Sequence, residues 1–111
     1  MGKSLLSPDL KGRLSEQVVA NELFYRYDRQ DWLSSNVFFW KNGSEVDFVV
    51  KREKRLLPVE VKYQKNAGPS DLKAIKRLGS KNGILISRDR LEMEDGFAII
   101  PLELFLVSHP G

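Results

Sequence analysis

The stretch SEVDFVVKREKRLLPVEVKY, residues 44–63, decides the fold. Two runs rich in β-branched and apolar residues flank a charged turn, the pattern of a β-hairpin. Side chains alternate along a strand, so Val46, Phe48 and Val50 share one face and Glu45, Asp47 and Val49 the other. In the second run Val59 and Val61 form the apolar face, with Pro58, Glu60 and Lys62 opposite. A two-residue turn at Glu53-Lys54 sets position 47 against 60 and 45 against 62, and any register that joins the apolar faces also joins the charged ones. Asp47, Glu60 and Lys62 are therefore expected to converge.

The elements around the hairpin define an α/β domain. Ser7-Pro8-Asp9 is a helix start, with a hydroxyl cap, proline in the first turn and an acid favoured by the helix dipole, and the helix is expected to reach Tyr27. Strands are expected at 37–40, 45–51 and 56–62. Pro69-Ser70-Asp71 opens a second helix that Gly79 or Gly83 ends. Gly83-Ile84-Leu85-Ile86-Ser87 is a short apolar run, the pattern of a strand buried on both faces. A charged loop follows, then a strand at 97–100 and a short helix at 102–107. The order α-β-β-β-α-β-β-α implies a central mixed sheet flanked by helices. It forms one domain with its core at about residues 8–107.

Composition narrows the chemistry. With 111 residues and 41% hydrophobic content the chain builds one modest core. The 18 Lys plus Arg against 15 Asp plus Glu leave a net charge of +3, compatible with nucleic acid without requiring it. There is no cysteine and His109 is the single histidine, which excludes disulfides and thiolate or polyhistidine metal sites and fits a cytoplasmic protein. No segment has the length and apolarity of a membrane span or a signal peptide.

Two carboxylates side by side repel, and a divalent cation neutralises them. Oxygen ligands of this kind suit Mg²⁺ or Mn²⁺, which polarises a phosphate and activates water, while Lys62 orients that water or stabilises charge on the transition state. The alternative is the solvated face of a hairpin with a Glu45–Lys62 cross-strand pair. On the first helix Val19, Ala20, Leu23, Phe24 and Tyr27 form an apolar stripe with Glu16 in its middle, where a carboxylate calls for a partner such as Lys62 or the metal. The alternative places Glu16 at a fraying helix end, reaching solvent.

Asp47, then Glu60-Val61-Lys62 thirteen residues on, with Glu16 on a preceding helix, resembles the PD-(D/E)xK phosphodiesterase superfamily, which includes restriction endonucleases and archaeal Holliday junction resolvases. The wider context, GRLSEQVVANELF, VFFWKNGSEVDFVV and LLPVEVKY, looks like the nuclease-like domain at the C-terminus of archaeal and bacterial AAA-type ATPases. The resemblance covers residues 10–107. It implies a restriction-endonuclease-like core, DNA cleavage with Mg²⁺ (or Mn²⁺), metal ligation by Asp47, Glu60 and the Val61 carbonyl, a catalytic Lys62 and an auxiliary Glu16. Valine precedes Asp47 where the superfamily's name has proline. Met1-Gly2-Lys3-Ser4 echoes the end of a phosphate-binding loop but lacks its upstream glycine and strand, so it is not read as an ATP site. The chain is expected to be either a stand-alone relative or an excised C-terminal domain.

Other residues carry weaker signals. Gln64 is placed to order the site or contact phosphate. Lys73, Lys76 and Arg77 line the outer face of the second helix, opposite Leu72, Ile75 and Leu78, and either contact DNA or are simply solvated. The 51–55 charged turn has the same two readings. Trp32, Phe38, Phe39 and Trp40 read as core or interface rather than base-stacking platforms. Apolar surface at the end of the chain suits a homodimer or docking to an ATPase domain. The competing functions are thus a DNA phosphodiesterase, a catalytically silent regulatory or docking module of an ATPase, and a non-catalytic DNA-binding domain.

Overall fold

A computed structural model describes residues 7–27, 36–39, 47–52, 54–65, 67–77 and 79–108. The expectations for Met1-Gly2-Lys3-Ser4, Trp32, Trp40, Glu45, Val46, Glu53 and Leu78 lie outside them. Helix α1 (Pro8–Tyr27) leads to strands β1 (Val37–Phe39), β2 (Phe48–Arg52) and β3 (Arg55–Lys62). A 3₁₀ turn (Pro69–Leu72) runs into α2 (Lys73–Arg77), followed by β4 (Gly83–Ser87), β5 (Glu92–Glu94), β6 (Phe97–Pro101) and α3 (Leu102–Val107). The strands form one mixed sheet of six in the order β1-β2-β3-β4-β6-β5. Pairing is parallel for β3–β4 and β4–β6 and antiparallel elsewhere.

The hairpin adopts the register that its alternation dictates. Phe48 pairs with Val59 and Arg52 with Arg55, so one further step sets Asp47 against Glu60. The apolar face of β2, β3 and β4 packs under α1 and α3, burying Val19, Leu23, Phe48, Val59, Ile86 and Phe105 in the main core. Ser7 caps α1 as expected, its hydroxyl accepting the Leu10 N–H at 3.1 Å. At the other end of α1, Arg26 donates to the carbonyls of Phe105 at 2.5 Å and Ser108 at 2.7 Å. Its guanidinium also lies 4.4 Å from the Phe105 ring centroid, fastening α1 to α3.

The opposite face of the sheet is covered too. The 3₁₀ turn and α2 bring Leu72 and Ile75 onto Leu85, Phe97 and Ile99, a second apolar cluster. A Cβ on Gly83 would collide with Ile75, so glycine here lets α2 sit close to the sheet.

Three sequence expectations need correction. The charged loop before β6 contains a strand, β5, which pairs antiparallel with β6 through Glu94 and Phe97. Its two-residue turn is Asp95-Gly96, both at positive φ (34° and 88°), the aspartate-glycine signal of a type I′ hairpin. The helix stripe on α1 is narrower than expected, because Phe24 is 61% exposed while Val19 and Leu23 are buried. Phe38 and Phe39 are likewise exposed, at 45% and 61%, which removes the core half of their core-or-interface reading, although Phe39 meets Phe48 edge-on with ring centroids 5.6 Å apart.

Candidate functional site

The site is built where β2 begins and β3 ends. Asp47 immediately precedes β2, and its backbone N–H donates to the Val59 carbonyl at 3.3 Å. Its carboxylate accepts the Val61 N–H at 2.6 Å, bridging the strands beside Glu60. Glu60 is fully buried, both carboxyl oxygens included. That overturns the solvated-hairpin alternative: α2 covers the face that a two-stranded reading leaves wet. A carboxylate so buried keeps its charge only against a cation or a set of donors.

Lys62 follows on the same face, at the end of β3. Its ammonium stands 3.8 Å from Asp71 Oδ1, both side chains about one-fifth exposed. Asp71 also accepts the Gly68 N–H at 2.8 Å, so one carboxylate shapes the turn after β3 and faces the lysine. In the sequence Asp71 reads only as part of the Pro69-Ser70-Asp71 helix start. The Glu45–Lys62 pair falls outside the described residues through Glu45.

Glu16 approaches differently. Helix α1 lies on the face of Val59 and Val61, whereas Glu60 and Lys62 belong to the other face. Half-buried, Glu16 reaches only the rim where the chain leaves β3, lining a cleft of about 540 Å³ with Arg13, Lys62, Tyr63 and Gln64. Among the described residues no three acidic, histidine or cysteine side chains converge, so Glu16, Asp47 and Glu60 do not form one cluster. The structure thus brings Glu16 to Lys62's cleft but leaves it apart from the acid pair. Val61, whose carbonyl the resemblance makes a ligand, supplies part of that cleft's wall.

A second cleft of about 620 Å³ adjoins the first and shares Tyr63 and Gln64 with it. Lys11, Lys65 and Arg88 stand around it, residues for which the sequence pattern held no signal, since they come from α1, the turn after β3 and the turn after β4. Gln64 lines both clefts. Lys73, Lys76 and Arg77 are exposed on α2 and line neither cleft. Lys76 is engaged by Glu94 at 3.0 Å and lies 5.3 Å from the Phe97 ring centroid, which makes it part of the α2–β5 surface. No helix among the described residues is long and apolar enough to cross a membrane.

The model of a family described as a domain of unknown function, DUF4143, matches residues 11–105. The chain belongs to that family. No curated protein and no solved structure matches it.

Proposed function

We propose that this DUF4143 domain is a metal-dependent phosphodiesterase acting on DNA. One observation carries the reading: the hairpin register sets Asp47 against a fully buried Glu60, with Lys62 two residues on at the mouth of an open cleft. A structural ion pair needs neither a buried acid beside a second carboxylate nor an adjoining cleft, whereas phosphoryl chemistry uses both.

The donor set suits Mg²⁺ or Mn²⁺, since Asp47, Glu60 and the Val61 carbonyl offer only hard oxygens. A metal bound there supplies Lewis acidity toward a phosphate oxygen and a water of lowered pKa. The chain's own residues do the rest. Lys62, steadied by Asp71, stabilises the negative charge that grows on the phosphoryl oxygens as water adds to phosphorus and the ester P–O bond breaks. Water's proton ends on the leaving hydroxyl and the new bond yields a phosphate monoester. Glu16, at the far rim of the cleft, orients water or substrate.

A second reading has one observation in its favour. Because Glu16 stands apart from Asp47 and Glu60, the domain also suits a nuclease-like module without turnover that docks on an AAA-type ATPase domain. Supercoiled, linear, single-stranded and four-way-junction DNA incubated with Mg²⁺, Mn²⁺ or EDTA separates the two. Metal-dependent cutting that disappears in both Asp47→Ala and Lys62→Ala supports the enzyme. No cutting of any substrate by folded wild-type protein sinks it.

A further inference from the structure

The adjoining second cleft differs in chemistry from the first. Lys11, Lys65 and Arg88 ring it, while Leu14, Val18 and Tyr63 form its walls. Among the described residues none of these three cations enters an ion pair. Elsewhere on the surface Arg26, Lys76 and Arg90 are paired with Glu22, Glu94 and Glu92. Leu14 is 47% and Val18 39% exposed, although both lie on a helix whose other face fills the core. The cleft therefore combines uncompensated positive charge with exposed aliphatic and half-buried aromatic surface.

We propose that this groove, between the first half of α1 and the ends of β3 and β4, binds an unpaired DNA strand leading into the Lys62 cleft. The inference rests on the phosphodiesterase reading and names the form of DNA presented to that site. Lys11, Lys65 and Arg88 take successive phosphates, and Tyr63, Leu14 and Val18 cover the faces of unstacked bases. The apolar walls decide between the two forms of DNA. In a duplex the base faces are stacked on one another and only phosphates and groove edges reach a protein, so Leu14, Val18 and Tyr63 would gain nothing. A single strand exposes its base faces, and an aromatic platform within a cationic groove is what holds it without regard to sequence. Tyr63 and Gln64, shared by both clefts, make the two continuous and aim the strand at Lys62.

The test measures fluorescence anisotropy of a labelled oligothymidylate of about 20 nucleotides and a duplex of the same length, in EDTA so that no turnover intervenes. The wild type is expected to bind the single strand at least about tenfold more tightly than the duplex. Reversing charge in Arg88→Glu with Lys65→Glu weakens single-strand binding about tenfold and flattens its salt dependence, while Lys54→Glu, at the β2–β3 turn, changes it by no more than about twofold. Tyr63→Leu lowers the single-strand preference and leaves duplex binding in place. Equal or tighter duplex binding overturns the proposal, as does a loss in Lys54→Glu that matches the groove variant. Metal-dependent cutting without single-strand preference overturns this inference alone. The expected binding without any cutting overturns the phosphodiesterase reading alone.

Discussion

Asp47 and Val61 are joined by a 2.6 Å hydrogen bond from the Val61 backbone N–H to the Asp47 carboxylate. An acid that precedes one strand thereby takes the place of a ladder partner for the next, and Glu60, between Val59 and Val61, is held against it. Position and charge of the acid pair are coupled in this one contact.

Replacing Asp47 separates the two roles. Asp47→Ala removes the acceptor of a part-buried N–H and is expected to cost about 1.5–3 kcal/mol of stability in chemical denaturation. Asp47→Asn keeps an acceptor oxygen, so it costs less than half of that while abolishing metal-dependent cutting. An alanine variant as stable as the wild type shows that the hydrogen bond contributes nothing.

Metal binding is readable without turnover. A divalent cation at about ten times its dissociation constant adds roughly 1.4 kcal/mol to stability, so Mg²⁺ or Mn²⁺ raises the wild type's melting temperature. Glu60→Gln, which keeps the buried shape, is expected to lose that increment. Equal gains in both proteins remove Glu60 from the ligand set.

Asp71 is a positioning residue for Lys62. Asp71→Asn retains an acceptor for the Gly68 N–H but drops the charge facing the ammonium, and turnover is expected to fall about tenfold with stability changed by under about 1 kcal/mol. A fall in kcat at unchanged KM, absent from a purely structural role, is the diagnostic readout. An unchanged kcat with lower stability assigns Asp71 to the turn alone.

Arg26 is predicted to matter for stability and not for the site. Arg26→Met loses charged hydrogen bonds to the Phe105 and Ser108 carbonyls and the contact over the Phe105 ring. A loss of about 2–3 kcal/mol is expected, with DNA binding unaffected. A variant that unfolds at the wild-type denaturant midpoint contradicts this account.

Gly96 tests the β5–β6 hairpin. At φ 88°, with a Cβ that would fall 2.5 Å from the Lys81 carbonyl oxygen, Gly96→Ala is strained twice over. It is expected to cost at least about 1 kcal/mol, and proteolysis at 91–96 should accelerate. Undiminished stability argues against the Asp95-Gly96 turn.

The hairpin and the helix starts were legible because they depend on neighbours in sequence. Strict alternation over residues 46–50 and 57–61 admits one register, and a slip of one residue would have buried Lys51 and Lys62 in place of Val50 and Val61. Ser7 likewise caps α1 by reaching only to Leu10. Strand β5 was legible in principle through Asp95-Gly96, but its Glu-Met-Glu content resembles a loop, and edge position beside β6 is what makes it a strand.

Strand periodicity alone therefore specifies the hairpin, the pairing of Asp47 with Glu60 and the presence of Lys62 two residues on. What faces them follows from the packing of distant segments. The parallel pairing β3–β4 requires a crossover, and that crossover lays α2 on the face of the sheet that carries Glu60 and brings Asp71 to Lys62. Helix α1 packs on the opposite face, which holds Glu16 at the rim while Lys11, Lys65 and Arg88 gather around one groove. Burial and charge clustering between segments far apart in the chain are properties of packing, and no local pattern of residues encodes them.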